Sequence, residues 1–339
     1  MFLTLALTSL NFALNSSLNI SVANAAPVTI KFATVAPEGS TWVNILKEAT
    51  TEIKTKTAGA VEFKLYPGGI AGDEPDVLRK MRVGQYHGGG FTGVGMGELV
   101  SEVRYLELPL YFKNMEELDF VREGLTPDYE AKFAAKGFQF LGWAEPGLVY
   151  IFSQKPVKGP DDLAGVKLWA WEGDILAEAI IKHYKLTPVN IALPDVLMAL
   201  QTGMLSAVYS PPLAAMALQW NTKVKYMMNL PLTNSTGGIL VAKKQWDQIA
   251  QPQQTIVKDV FKAALTKLNS MTRKQNTEAI AEFIKQGMQM SEPTQKDKDS
   301  LLQVAQAIRP EMVGKLYSAD FMKKGENLVT EFRAKKKSK

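Results

Sequence analysis

Two short stretches of this chain share one pattern. "PDVLRKMRVG" (75–84) and "PDVLMALQTG" (194–203) have Pro, Asp, Val, Leu and a closing Gly at identical spacing. In both halves of the chain, alternating apolar residues typical of strands are interleaved with apolar helix faces, in the order β-α-β-α-β. Such units form parallel strands with right-handed crossovers. The duplication therefore predicts an α/β fold with two similar α/β lobes.

A third pattern connects the two halves. Residues 253–286 have helical periodicity with two apolar patches, and the segment between the patches, "TRKQNTE", is wholly polar. A helix of this kind fits a position across two separate lobes, with one patch on each. The alternative is two helices with a break, although no Gly or Pro marks one. We predict one long bridging helix.

The N-terminus has the features of an export signal. The first 25 residues carry no charge and begin with the apolar run "MFLTLALTSLNFAL". Ala23-Asn24-Ala25 matches the small-x-small cleavage pattern of a secretory signal peptide, although no Lys or Arg precedes the run. A membrane anchor is the alternative, but the run is too short to span a bilayer and is interrupted by Asn and Ser. We expect residues 1–25 to be a signal peptide cleaved after Ala25, and the mature protein to be periplasmic.

Charge and cysteine content exclude several classes of function. The tail "RAKKKSK" (333–339) accounts for the net charge of +5, and without it the basic residues equal the 34 acidic residues in number. A neutral body gives no indication of a nucleic-acid partner, and we expect none. The tail is expected to be a solvated end, with contact to an anionic membrane surface as the alternative. The chain has no cysteine, which excludes disulfides, thiolate metal sites and cysteine nucleophiles.

Catalytic patterns are scarce. The two histidines, His87 and His183, lie in different halves, and neither H-E-x-x-H nor G-x-S-x-G occurs. "GGGFTG" (88–93) fits the letters of a dinucleotide-binding motif but opens no helix within a βαβ unit, so we interpret it as backbone that turns or allows close approach. We therefore expect no enzyme activity, no cofactor and no metal site.

A ligand site is expected outside the carboxyl ends of the strands, where parallel α/β lobes bind their ligands. The segments that follow predicted strands there are 34–42, 88–93, 144–150, 169–174 and 209–212. Trp169 and Trp171 lie two residues apart, so on a strand both side chains point to the same face. That face is either part of a core or the lining of a ligand site.

Motifs of one transport family run through both halves. They are "VTIKFATVAPEGSTW", "LYPGGIAGDEPDVLRKMRVGQ", "LPLYF", "KPVKGPDDLAGVKLWA", "LPDVLMALQTGMLSAVYSPPLAA" and "LTNSTGGILVAKKQWDQI", within residues 28–250. Together they resemble the solute-binding proteins of tripartite ATP-independent periplasmic (TRAP) transporters, of the dicarboxylate- and sialate-binding type. The resemblance implies two lobes that are joined by hinge strands and close around one small solute. It also implies a monomer that docks on two membrane subunits of a permease.

The resemblance and the repeats together give the domain bounds. Lobe 1 is expected at residues 26–146 plus about 238–277, and lobe 2 at 147–237 plus about 278–332. The long helix from about residue 252 suits the family's bridging helix.

Three positions lack the basic or polar residue that the family usually has there. Trp169 stands where the family's strand usually has an Arg that pairs with the ligand carboxylate. Val149 stands where a second basic residue is frequent, and Pro211 where an Asn is usual. The resemblance thus implies a solute that lacks the usual carboxylate anchor. Aromatic faces suit apolar rings, sugar faces or cations.

The predicted binding residues combine aromatic, apolar and acidic side chains. They are Trp42, Thr92, Glu145, Val149, Tyr150, Trp169, Trp171, Glu172, Tyr209, Pro211 and Asn234. Glu145, Glu172 and Asp174 would favour a cation, or else are solvated loop residues. The predicted function is delivery of an aromatic, sugar-like or cationic solute to a TRAP-type permease. The alternative is a periplasmic sensor or accessory binding protein that is not coupled to import.

Overall fold

The computed structural model describes residues 26–337. The first part of the chain forms β1 (Val28–Thr34), α1 (Thr41–Lys56), β2 (Val61–Tyr66), α2 (Glu74–Arg82), β3 (Gly88–Thr92), α3 (Gly93–Gly97), α4 (Met115–Ala135), β4 (Phe138–Trp143), β5 (Gly147–Ser153), β6 (Trp169–Trp171), α5 (Ile175–His183) and β7 (Val189–Ile191). The second part forms α6 (Val196–Gln201), β8 (Ala207–Ser210), α7 (Pro212–Ala217), β9 (Tyr226–Met228), β10 (Thr233–Ser235), β11 (Gly237–Ala242), α8 (Lys243–Trp246), α9 (Gln251–Lys285), β12 (Gln289–Ser291), α10 (Gln295–Glu311) and α11 (Ala319–Lys337).

Lobe 1 is built on a five-stranded sheet of order β2-β1-β3-β11-β4. The strands β2, β1 and β3 are parallel, and β11 runs antiparallel to its neighbours. Ser40 is the N-cap of α1, because its hydroxyl accepts a hydrogen bond from the Val43 N–H. The helix buries Ile45, Leu46 and Ile53 against the sheet. The predicted β-α-β-α-β unit is thereby confirmed for this half.

Lobe 2 repeats that arrangement with shorter strands. The strand β6 pairs in parallel with β7, and a parallel bridge between Leu168 and Ala207 places β8 on the other side of β6. The order β7-β6-β8 therefore matches β2-β1-β3, and the duplicated stretches occupy equivalent helices, α2 and α6. A second sheet combines β5, β8, β9, β10 and β12. The predicted two-lobed α/β fold is confirmed.

Two strand connections and one helix join the lobes. The chain passes from β4 to β5 at residues 144–146, and returns from β10 to β11 at Thr236. The helix α9 is continuous over 35 residues, so the predicted bridging helix is confirmed and the alternative of two broken helices is wrong. Its first part packs Val260, Phe261 and Leu265 in the core of lobe 1, and Phe283 packs in the core of lobe 2.

The C-terminal region requires a correction. The assignment of all of residues 278–332 to lobe 2 does not hold, because α11 packs against α4 of lobe 1. There Phe321 and Val329 share a core with Tyr129, while α10 contacts α5 of lobe 2. The predicted solvated tail begins inside α11, and Arg333 pairs at 2.6 Å with the buried Glu117.

The predicted signal peptide, residues 1–25, lies outside the described residues. Within residues 26–337, none of the helices combines the length and the apolar character that crossing a membrane requires.

Candidate ligand-binding site

Two adjoining cavities lie between the lobes. We call them the inner cavity, with a volume of about 200 Å³, and the outer cavity, with about 300 Å³. Both are lined by Thr92, Pro146, Leu193, Ala214 and Leu218. The outer cavity lies at the carboxyl ends of β1 and β3, the edge at which parallel α/β lobes bind ligands. The inner cavity continues from there to α5 and α10.

Aromatic side chains form one wall of the inner cavity. Trp169 stacks on Tyr209 with ring centroids 4.9 Å apart and an interplanar angle of 24°. Trp220 meets Trp169 edge-on with ring centroids 5.2 Å apart, and the Trp171 ring lies 5.7 Å from that of Trp169. Trp169 is only 2% exposed and donates its indole N–H to the Ile191 carbonyl at 3.0 Å. This side chain is therefore both a core residue of lobe 2 and a cavity wall.

A buried ionic cluster forms another part of the same wall. Arg104 of lobe 1 pairs through Nη1 with Glu107 at 2.6 Å and through Nη2 with Asp174 of lobe 2 at 2.7 Å. Burial raises the pKa of the Glu107 carboxyl to about 7, while Arg104 acts in the opposite direction. Asp174 also caps α5, since it accepts hydrogen bonds from Leu176 N and Ala177 N. The guanidinium of Arg104 thus pairs with two carboxylates, one from each lobe.

A second contact between the lobes lies at the start of α2. Asp73 Oδ2 accepts from Trp171 Nε1 at 2.8 Å and from Leu193 N at 3.2 Å, and both donors belong to lobe 2. Its other oxygen accepts from Glu74 N, which keeps the carboxylate in place as the N-cap of the helix. The cleft is therefore closed at this edge.

Glu74 lines the outer cavity and is almost completely buried. Its oxygens accept hydrogen bonds from Thr92 N, Thr92 Oγ1 and Gly95 N, all between 2.8 and 2.9 Å. Burial raises the pKa of this carboxyl to about 8, although these donors act in the opposite direction. The carboxyl therefore ties α2 to the end of β3 and to α3, because Thr92 is the last residue of β3 and Gly95 lies in α3.

Two buried polar atoms at the cavities have no hydrogen-bond partner among the described residues. Asn234 Oδ1 lies at the inner cavity, and the side chain is 5% exposed. Thr272 Oγ1, from the middle of α9, lies at the outer cavity. Buried polar atoms are normally paired, so an unpaired one beside a cavity is a candidate for contact with a ligand.

Most of the predicted binding residues lie at these cavities. Those that line the inner cavity are Thr92, Val149, Trp169, Trp171, Tyr209, Pro211 and Asn234. Trp42 lines the outer cavity together with Thr92. The spacing of Trp169 and Trp171 predicted that both side chains lie on one face of a strand, and both line the inner cavity.

Three predicted binding residues lie outside both cavities. Glu145 is buried at the crossing from β4 to β5, where its carboxylate pairs with Arg122 at 3.1 Å and Arg273 at 2.6 Å. Glu172 is exposed in the loop after β6. Tyr150 points to the face of β5 opposite Val149, because side chains alternate along a strand. Glu145 and Glu172 therefore do not bring negative charge to either cavity. The negative charge there comes from other residues.

Four charged residues at the site were not predicted from the sequence: Arg104, Glu107, Asp73 and Glu74. A signal for the first two was present: they are charged residues inside the apolar stretch "LVSEVRYLELPLYF". Charged residues in such a stretch are rarely buried unless they are paired. Among residues 26–337, no group of three or more His, Asp or Glu is arranged to hold a metal ion.

Comparison with known proteins identifies the family. Residues 32–315 match the model of bacterial extracellular solute-binding protein, family 7. The chain belongs to this family. It is 27% identical over 274 residues to the C4-dicarboxylate-binding periplasmic protein DctP of Rhodobacter capsulatus, covering 78% of this chain and 80% of that protein. It is 24% identical to a solute-binding protein of Chromohalobacter salexigens, covering 65% of this chain and 66% of that protein.

Solved structures of TRAP solute-binding proteins share the fold of this family member. A protein of Haemophilus influenzae with bound L-gulonate superposes with a TM-score of 0.82 at 20% identity, covering 89% of this chain and 99% of that one. A sugar acid-binding protein of Advenella mimigardefordensis, in complex with galactonate, has a TM-score of 0.84 at 16% identity, covering 90% and 98%. The chain is thus an extracytoplasmic TRAP-type solute-binding protein, a class that binds small solutes and works with membrane permease components. This family comprises transport receptors rather than enzymes.

Proposed function

We propose that this protein binds a small solute that lacks the carboxylate by which the family's solutes are usually anchored. It delivers this solute to a TRAP-type permease. The observation that carries the proposal is the pairing of Arg104 with both Glu107 and Asp174. A solute carboxylate would have to compete with two buried carboxylates for one guanidinium. Removing one partner from a buried ion pair costs about 3–5 kcal/mol, because a charge is left uncompensated.

The three departures from the family support the same proposal. Trp169, Val149 and Pro211 all line the inner cavity. None of them offers a positive charge to an acid, and the indole of Trp169 offers an aromatic edge or face instead. A charge-assisted hydrogen bond contributes about 1.5–3 kcal/mol, so an acid that lacks it binds at least tenfold more weakly.

The ligands of the solved relatives define the opposing expectation. L-gulonate, galactonate and succinate are all acids, and the proteins that hold them are 16–20% identical to this chain. At such identity the fold is shared, while the ligand has to be tested. Acids therefore belong in the experiment as the competing class.

A thermal-shift panel separates the classes, since a ligand that binds only the folded state raises the melting temperature. The panel contains succinate, galactonate, neutral sugars, simple aromatics and cationic amines, each at several concentrations. We expect saturable shifts of several degrees within the neutral, aromatic or amine classes and none with the acids. Strong shifts confined to the acids would refute the proposal.

Export and delivery form the second part of the proposal. We propose that residues 1–25 are removed and that the mature protein acts in the periplasm as a monomer, with two membrane subunits as its partners. The intact mass of protein recovered from a periplasmic fraction should correspond to a chain that starts at Ala26. A full-length mass would contradict the cleavage.

An uptake assay distinguishes delivery from sensing. With both membrane subunits co-expressed, solute accumulation should require this protein and saturate with it. A sensor would bind the same solute and leave uptake unchanged. No contact or charge among the described residues favours the sensor.

A further inference from the structure

Asn234 presents an unused acceptor to the inner cavity. Its amide Nδ2 donates to Thr236 Oγ1 at 3.2 Å, and no described residue donates to its Oδ1. An amide oxygen buried without a donor is destabilising, and a ligand that supplies an N–H or O–H group removes that cost. The atom therefore specifies one property of the solute, a hydrogen-bond donor.

The charges beside Asn234 specify a second property. Thr236 N donates to Glu107 Oε1 at 2.5 Å, and Thr233 Oγ1 donates to the Glu107 carbonyl at 2.6 Å, so the residues flanking Asn234 hold Glu107. Above about pH 7, where Glu107 is ionised, Glu107 and Asp174 together outweigh the single charge of Arg104 and leave the cluster negative, and a bound cation favours this ionised form. A cationic donor is attracted by this surplus, and an anionic ligand is repelled.

A third property follows from the part of the inner cavity between α5 and α10, which we call the rear chamber. With the exception of Tyr184, its side chains are aliphatic: Leu163, Leu176, Ala177, Ile180, Ile181, Leu186, Leu301, Val304, Ala305 and Ile308. The chamber runs along α5 from Asp174, which caps the helix, to Ile181. At 1.5 Å per residue this is about 10 Å, the length of a short alkyl or arylalkyl group.

We propose that the solute is a protonated amine with an apolar arm. Its ammonium donates to Asn234 Oδ1 beside Glu107 and Asp174, and its arm occupies the rear chamber. This inference rests on the proposed function and narrows the solute class of the same site. Burying apolar area against the chamber adds affinity, while the ammonium confers selectivity against acids and neutral alcohols.

A matched set of phenylalkyl probes tests head group and arm separately by titration calorimetry. The head is varied with 4-phenylbutylamine, 4-phenylbutanol and 4-phenylbutyrate, and the arm with 2-phenylethylamine. We expect the order amine, alcohol, acid, with at least tenfold between amine and acid. Each added methylene should tighten binding about three- to fourfold while the arm fits the chamber.

Substitutions assign the two ends of the probe. Asn234→Asp keeps acceptors only and should bind 4-phenylbutylamine at least as tightly as the wild type, whereas Asn234→Leu should weaken it about tenfold. Ala305→Leu fills the rear chamber and should abolish the advantage of the longer amine over 2-phenylethylamine. Ala307→Leu is the matched control on α10, because Ala307 lies outside both cavities.

The results separate this inference from the proposed function. Equal binding of amine and alcohol, or an Asn234→Asp variant that loses the amine, would overturn the ammonium contact. Retention of the chain-length effect in Ala305→Leu would overturn the rear chamber. Binding of neutral sugars alone would overturn the inference and leave the proposed carboxylate-free solute intact, while binding of acids alone would overturn both.

Discussion

Trp171 of lobe 2 donates its indole N–H to the carboxylate of Asp73 of lobe 1 at 2.8 Å. The two residues are 98 positions apart in the chain, and the contact spans the cleft. Asp73 precedes the helix of the first duplicated stretch, and Leu193, which also donates to Asp73, precedes that of the second. The equivalent ends of the two repeats thus meet where the lobes touch.

Removing the indole donor should open the cleft. Hydrogen bonds to charged groups contribute about 1.5–3 kcal/mol, so Trp171→Phe should reduce the ratio of closed to open molecules roughly tenfold to a hundredfold. Small-angle scattering of the ligand-free protein should show a larger radius of gyration. The control is Trp220→Phe, a change inside lobe 2. If both variants keep the wild-type radius, the Asp73 contact does not hold the lobes together.

Two substitutions of Trp169 should lower solute affinity and the free energy of unfolding to different degrees. Trp169→Ala removes a buried ring and should lower the free energy of unfolding by about 3–5 kcal/mol and solute affinity tenfold or more. Trp169→Phe retains a ring against Tyr209, so the affinity loss should be only several-fold. Denaturant titration and calorimetry measure the two effects, with Trp246→Phe in lobe 1 as the control. Unchanged affinity in Trp169→Ala would leave this residue with a core role alone.

Stability should decrease between about pH 5 and pH 8. Burial raises the pKa of Glu74 from 4.5 to about 8, so the folded state keeps a proton that the unfolded state releases in this range. The free energy of unfolding therefore falls as pH rises, and Glu107 acts in the same direction. Melting temperatures across this range should show a smaller pH dependence in Glu74→Gln. Glu48→Gln, on an exposed pair, should follow the wild type; an equally steep curve in Glu74→Gln would contradict the assignment.

The ion pairs at the hinge should stabilise the crossing from β4 to β5. Arg273 of α9 contacts both Asp119 and Glu145, and its loss would leave buried Glu145 with Arg122 as its remaining ionic partner. We expect Arg273→Met to lower the free energy of unfolding by about 1–3 kcal/mol, measured by urea titration. Lys274→Met removes an exposed pair and should change it by less than about 0.5 kcal/mol. Equal effects of both substitutions would exclude a specific role for the hinge pairs.

Local patterns were sufficient to predict the repeated units and the bridging helix. The alternation of apolar residues in the strands, the two duplicated stretches and the two apolar patches of α9 are all expressed within short windows of sequence. Family departures then led to Trp169, Val149 and Pro211, which line one cavity in the structure. These positions could be found because the resemblance assigns to each of them a family residue from which this chain departs.

Contacts between residues that lie far apart in the chain could not be predicted from the sequence. Glu145 looked available for a cation because its partner Arg273 lies 128 residues later, on a helix whose rotation local patterns do not specify. Arg104 and Asp174 are likewise 70 residues apart and meet through the closure of two lobes. The helix α11 packs against lobe 1 through the contact of Phe321 with Tyr129. The residues adjacent to these two in the sequence do not indicate this contact.

The continuity of α9 has a consequence for how the protein unfolds. One helix supplies Phe261 to the core of lobe 1 and Phe283 to the core of lobe 2, and Asn269 and Asn276 bond to the chain crossing between β4 and β5. If one lobe melted alone, α9 would lose half of its packing and the other lobe would be destabilised with it. We therefore expect the two lobes to unfold as a single cooperative unit, so that heat denaturation proceeds in one transition although the described residues form three sheets.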